Sequence, residues 1–252
     1  MEIYVYDLGY YSIYQYIFIN VPLNVLKTHE DNMNSDNTVS IRKLLSVKIV
    51  LVFVILMICA GASEQSIAQW VSLFAELGLN VNKNVGDIFG ACMFAFCMGI
   101  VRLIYGMKSE SINIEKALIV SAFFCIVGYF VTVFSPYAFL SLIGCGISGL
   151  SVAIMWPSVF SLAAKNYNRG GTAMFALLAL AGDVGCSIGP SIVGLVSNNR
   201  SIADRFSFVL INSGSIQAGL KTGILFAVIF PVIMFIVLIL FKNKKTNLYN
   251  II

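Results

Sequence analysis

Residues 151–194 read SVAIMWPSVFSLAAKNYNRGGTAMFALLALAGDVGCSIGPSIVG. Two apolar helices are expected here, joined by the basic turn AAKNYNRGGT. The first carries Trp156-Pro157. The second carries an acid, Asp183, within a glycine row that ends in Gly189-Pro190. In water Pro157 and Pro190 would break their helices, because proline lacks an N–H and its ring crowds the preceding turn. Membrane helices tolerate such residues where neighbours satisfy the freed carbonyls. The stretch therefore reads as paired membrane-spanning helices with a polar interior.

Composition extends that reading to the whole chain. Of 252 residues 59% are hydrophobic and 11% charged, and the mean hydropathy is +0.89. Soluble domains carry about 25% charged residues, so the expected fold class is all-α and polytopic. No basic patch with interleaved aromatics points to nucleic acid. Cys59, Cys92, Cys97, Cys125, Cys145 and Cys186 lie in apolar runs without a CxxC pair, and read as packing residues. With a lone His29 in a polar stretch, neither a metal nor a cofactor is expected.

The twenty-residue criterion places six spans near 46–74, 86–105, 117–135, 138–164, 172–196 and 216–241. Asn113 or Ser111 is positioned to cap the third, and Pro136 to separate the third from the fourth. The expected divisions are an aromatic segment with a polar cytoplasmic linker (1–44), a six-helix bundle (45–241) and a basic tail (242–252). Residues 1–26 lack a positive region before their apolar part, which argues against a cleaved signal peptide. An interfacial helix or the end of a preceding span fits them equally. Residues 27–44 read as a flexible linker.

An even number of spans puts both ends of the bundle on one side. That side holds Lys27, Arg42, Lys43, Lys48, Arg102, Lys108, Lys116, Lys165, Arg169, Lys242, Lys244 and Lys245; the other holds Lys83, Arg200, Arg205 and Lys221. Twelve against four makes the first side cytoplasmic by the positive-inside rule.

Within the spans, Gly61, Gln65, Gln69, Ser72 and Glu76 form one stripe, with Glu64 one position off it. An acid at membrane depth faces a partner or an aqueous cavity by default. The other reading of Glu64 is an outer-interface residue that meets water. Gln65 and Gln69 fit helix–helix contacts or ligand contacts. In the fourth span Ser141, Gly144, Ser148, Ser151, Met155 and Ser158 alternate at three and four, which suits close packing or a cavity wall. Trp156 suits a stacking face in a cavity or an interfacial anchor. In the fifth span Ala179, Gly182, Cys186 and Gly189 make a small-residue row with Gly185 beside it. Asp183 is either a proton site or half of a structural pair.

The segments GASEQSIAQW (61–70), GDIFGACMFAFCMGIVRLIYG (86–106) and 155–190, with the basic end of the sixth span, resemble the C-terminal half of a major facilitator superfamily transporter. Arg102 and Gly106 match the Arg and Gly of the family's cytoplasmic-loop signature, whose acidic part is replaced by MKSESINIEK (107–116). Pro157, Gly182, Gly185, Gly189 and Pro190 fall in the 155–190 resemblance. The run GDVGCSIGPSIVG is similar to the antiporter glycine-proline motif, but in the other half of the family's fold, so it does not assign antiport. Family members have twelve spans in two halves with the solute path between them. The resemblance therefore implies half of a transporter, from a truncated or split reading frame or a fragment, with residues 27–45 left from the central loop. It implies a complementary six-helix half and a small organic solute as partners, a plasma (inner) membrane location, and Glu64, Gln65, Gln69, Trp156 and Asp183 on the substrate or proton path. Among the family's branches, the Glu64/Gln65/Gln69 cluster and Trp156 suggest proton-coupled sugar symport. The competing class is a membrane remnant, scaffold or assembly partner without transport. Neither HExxH nor a Walker sequence is present, so an enzyme is not expected.

Overall fold

A computed structural model describes residues 41–108, 111–167, 170–199, 201 and 215–249. The expectations for residues 1–26, and for the linker up to residue 40, lie outside the described residues. All regular structure among those described is helical.

Six helices are long and apolar enough to cross a membrane: α1 (Lys48–Gly78), α2 (Lys83–Lys108), α3 (Ile114–Phe134), α4 (Ala138–Asn166), α5 (Gly171–Ser197) and α6 (Ile216–Asn243). They match the expected spans to within a few residues. Helical structure also extends past the expected ends of the bundle. The last residues assigned to the linker form a short helix, Ile41–Leu45, whose Leu44 is fully buried. The helix that starts at Ile229 continues through the first residues of the basic tail to Tyr249.

Local chemistry explains the helix ends. The Asn113 side chain accepts from the Lys116 N–H at 3.1 Å and caps α3. Asn82 caps α2 in the same manner, accepting from the Asn84 N–H at 3.1 Å. Pro136 separates α3 from α4, and the Ser135 hydroxyl takes up the Tyr137 N–H at 3.2 Å.

Prolines act in two ways across three helices. In α4 the helix stops at Val152 and resumes at Met155, which leaves Pro157 in the first turn of the second piece. There a missing N–H costs little. The break in α6 is built alike: one piece ends at Ala227, the next starts at Ile229, and Pro231 lies in its first turn. Pro190, by contrast, sits inside an α5 helix that runs on without a break.

Helices in a bilayer gain little from burying apolar surface against one another, so small residues that let backbones touch decide the packing. The α1–α5 crossing follows this rule. A Cβ at Gly61 would overlap the Gly182 carbonyl, one at Gly185 would overlap the Ile58 carbonyl, and one at Gly189 would stand 2.6 Å from the Ala62 carbonyl. The α3–α4 contact is similar: a Cβ at Gly128 would come within 2.9 Å of the Ser148 nitrogen, and one at Gly144 within 2.5 Å of the Thr132 nitrogen. The stripe Ser141, Gly144, Ser148, Ser151, Met155, Ser158 is buried throughout. Of the two readings given to it, packing is the one it serves. Tyr129 of α3 crosses to α1, donating to the Ser63 carbonyl at 2.7 Å.

Candidate functional site

Glu64 lies sixteen residues from the start of α1 and fourteen from its end, near mid-depth. Arg102 lies six residues inside the end of α2. At about 1.5 Å per residue that is roughly 9 Å from the helix end. An Arg102 Nη–H donates to Glu64 Oε2 at 3.0 Å, closing an ion pair between the two helices. The Glu64 side chain is only 11% exposed and that of Arg102 44%, so the acid is enclosed while the guanidinium reaches the surface of the bundle. Of the two readings of Glu64, this depth and enclosure fit the paired acid and not a residue that simply meets water.

The same guanidinium makes a second contact. Its Nε–H donates to the Ala153 carbonyl of α4 at 3.2 Å. Ala153 is four residues before Pro157, so its carbonyl is the one that lacks a helical donor. The helix resumes one residue later, where the Ser158 N–H bonds the Ile154 carbonyl at 3.0 Å. Close by, the Ser158 hydroxyl donates to Tyr105 of α2 at 2.9 Å.

The other expected site residues occupy two neighbouring places. Gln65 and Gln69 bond each other, Nε2 of Gln69 donating to Oε1 of Gln65 at 3.2 Å. Gln69 also lines a groove of about 710 Å³ between α1 and α5 with Trp70, Leu73, Pro190, Ser191, Gly194 and Leu195. The Trp70 indole closes its floor by donating to the Pro190 carbonyl at 3.1 Å. Asp183, Ser187 and Ser191 step by four along the exposed side of α5. Asp183 forms no ion pair among the described residues, so no structural partner for it is found there.

Trp156 lies elsewhere. Its ring covers Gly182, where a Cβ would overlap it, and tilts against Phe160 at a centroid distance of 6.5 Å. Its Nε1 is buried without a hydrogen-bond partner among the described residues. Gly182 therefore seats an indole, whereas Gly185 and Gly189 meet backbone. Gly106 is exposed near the end of α2, with open space where a Cβ would stand.

Sequence reasoning missed the role of Arg102, which it read as a loop-signature residue. The available signal was Pro157 itself: counting back four residues marks Ala153 as a carbonyl in need of a donor. Two further polar features had no such signal. The Ser72 hydroxyl bonds Asp87 Oδ1, joining α1 to α2 at the opposite end from Lys108, and Lys221 is buried in the first turns of α6.

The family model described as Major Facilitator Superfamily matches residues 16–190. The match begins earlier than the resemblance read from the motifs and ends at Pro190, within α5. The chain is also similar to "Membrane protein MosC" of Rhizobium meliloti, at 23% identity over 181 residues, which is 72% of this chain and 44% of that protein. The chain thus spans less than half the length of the curated relative it matches. No solved structure matches it.

Proposed function

Since this chain belongs to the major facilitator superfamily, we propose that its six-span unit is one half of a secondary transporter that moves a small organic solute by alternating access. The observation that carries the reading is the Glu64–Arg102 pair, whose acid lies near mid-depth. An ionisable pair costs free energy in a bilayer and marks an ion or substrate path by default. Glu64 is the proton-binding acid in this account, and Arg102 is the partner that donates to it. The solute contacts the face formed by Gln69, Asp183, Ser187 and Ser191, whose amide, carboxylate and hydroxyls suit the hydroxyls of a sugar.

The complementary six spans cover that face, as the 44% coverage of a longer relative suggests. Both ends of the six-span core are cytoplasmic, in the plasma membrane. Support comes from charge: Arg102 and Lys221 lie inside spans and leave the twelve-to-four count, which becomes eleven to three.

The test supplies the complementary half as a fused or co-expressed chain and screens labelled monosaccharides and disaccharides. Proton-driven accumulation and counterflow exchange are then compared in the wild type and Glu64→Gln. Loss of accumulation with exchange retained is expected. Accumulation that survives in Glu64→Gln removes Glu64 from coupling, and a fused pair that moves no sugar favours a non-transporting assembly role.

A further inference from the structure

We propose that Arg102 is the positioning residue that ties Glu64 on α1 to the proline break in α4. One guanidinium holds the carboxylate and also donates to the carbonyl that Pro157 leaves without a helical partner. The purpose of this link rests on the transport reading above; its existence does not.

Three observations carry it. The first is register: the acceptor is Ala153, four residues before the proline, which is the orphan position that geometry dictates. The second is the planar fork of arginine, which can serve two acceptors on two helices at once, as the single ammonium of lysine does poorly. The third is an internal comparison. The break in α6 leaves Ala227 in the same position relative to Pro231, and among the described residues no side chain donates to its carbonyl. That helix exposes Ile229, Ile233, Ile236 and Leu240. A proline break on its own therefore does not require an arginine. The one that receives it lies beside the buried acid.

The consequence is mechanical. When Glu64 is charged, Arg102 is held at Ala153 and the two pieces of α4 keep their angle. When the charge is removed, the fork loses its anchor and the Ala153 carbonyl loses its donor. Trp156, next to the break and seated on Gly182, carries the change to the α4–α5 contact.

The same tryptophan is the reporter. The chain has two, so in a Trp70→Phe background all indole emission comes from Trp156. The full chain in nanodiscs is compared by emission maximum and acrylamide quenching. Arg102→Gln is expected to shift the emission and raise the quenching, and Glu64→Gln to do so in the same direction. Pro157→Ala restores an N–H for Ala153, so with it in place Arg102→Gln should no longer move Trp156. Pro231→Ala, the control, should leave the response to Arg102→Gln intact. Should Arg102→Gln fail to fold, Arg102→Lys carries the same comparison, with the charge kept and the fork lost. An unchanged Trp156 signal in the Arg102 variants, or one that shifts equally with and without Pro157, overturns the proposal. A shift in a chain that accumulates no solute keeps the link and discards the transport reading; transport that depends on Glu64 without any shift does the reverse.

Discussion

The outward sides of α3 and α5 differ in chemistry although both helices are apolar enough to span. α3 exposes Val120, Phe123, Phe124, Phe130 and Phe134. α5 exposes Asp183, Ser187 and Ser191 among its apolar residues, beside Gln69 of α1. Phe123 of α3 also meets Phe235 of α6 at 6.3 Å, so the aromatic surface continues onto the next helix. A side chain facing acyl tails has no donor or acceptor to meet, and phenylalanine suits that surroundings. A carboxylate and two hydroxyls do not. We propose on this ground that the α3/α6 side faces lipid and the α1/α5 side faces water, solute or protein.

The substitution that should separate the sides most is a charge. Phe124→Lys places an ammonium on the lipid side, and a charge at mid-span costs about 2.5–3.5 kcal/mol on insertion scales. Inserted, folded protein should fall sharply, as read by membrane flotation and size exclusion. Ser187→Lys should insert nearly as well as the wild type. Equal losses at both positions would break the comparison.

Next in size comes the inner side of α5. Gly185→Leu drives a branched side chain into the Ile58 carbonyl, a contact between backbones that neither helix can relieve without separating. Overpacking of this kind costs about 1–3 kcal/mol, and the melting temperature in detergent should drop accordingly. Gly182→Leu meets the Trp156 ring, a side chain that can shift, and should cost less. A normal melt for Gly185→Leu would mean that α1 and α5 do not cross there.

The smallest expected change in stability is on the outer side of the same helix. Ser191→Ala and Gln69→Ala remove exposed polar groups, and surface changes of this kind usually stay within about 0.5 kcal/mol. Their effect should appear in solute affinity once a complementary half is supplied. Marked destabilisation by either would make that face structural.

How far the sequence speaks depends on what a periodicity can report. Span lengths and hydropathy placed all six helices, because a bilayer demands a run of apolar residues whatever the neighbours are. The Asn113 cap and the α4 stripe were equally legible, since both are local to one helix. Pairings between helices were not. Glu64 and Arg102 are separated by 38 residues, and each helix pattern shows which face is polar without showing what it meets. The glycine row of α5 shows the same limit. Gly182, Gly185 and Gly189 look alike in sequence, yet one seats an indole and two touch backbone. Trp156, readable as a cavity face or an interfacial anchor, packs on that glycine, a contact that only the crossing of α4 and α5 decides.

The central claim is that one side of the bundle meets lipid and the other does not. It is tested most directly by cysteine accessibility in native membranes, using a cysteine-free background. Single cysteines are placed at Gln69, Ser187 and Ser191 on one side, and at Phe124, Phe130 and Ile236 on the other, and probed with a small membrane-impermeant maleimide in open vesicles. The account predicts labelling of the first three and protection of the second three. Labelling of Phe124 and Ile236 with protection of Ser187 would contradict it.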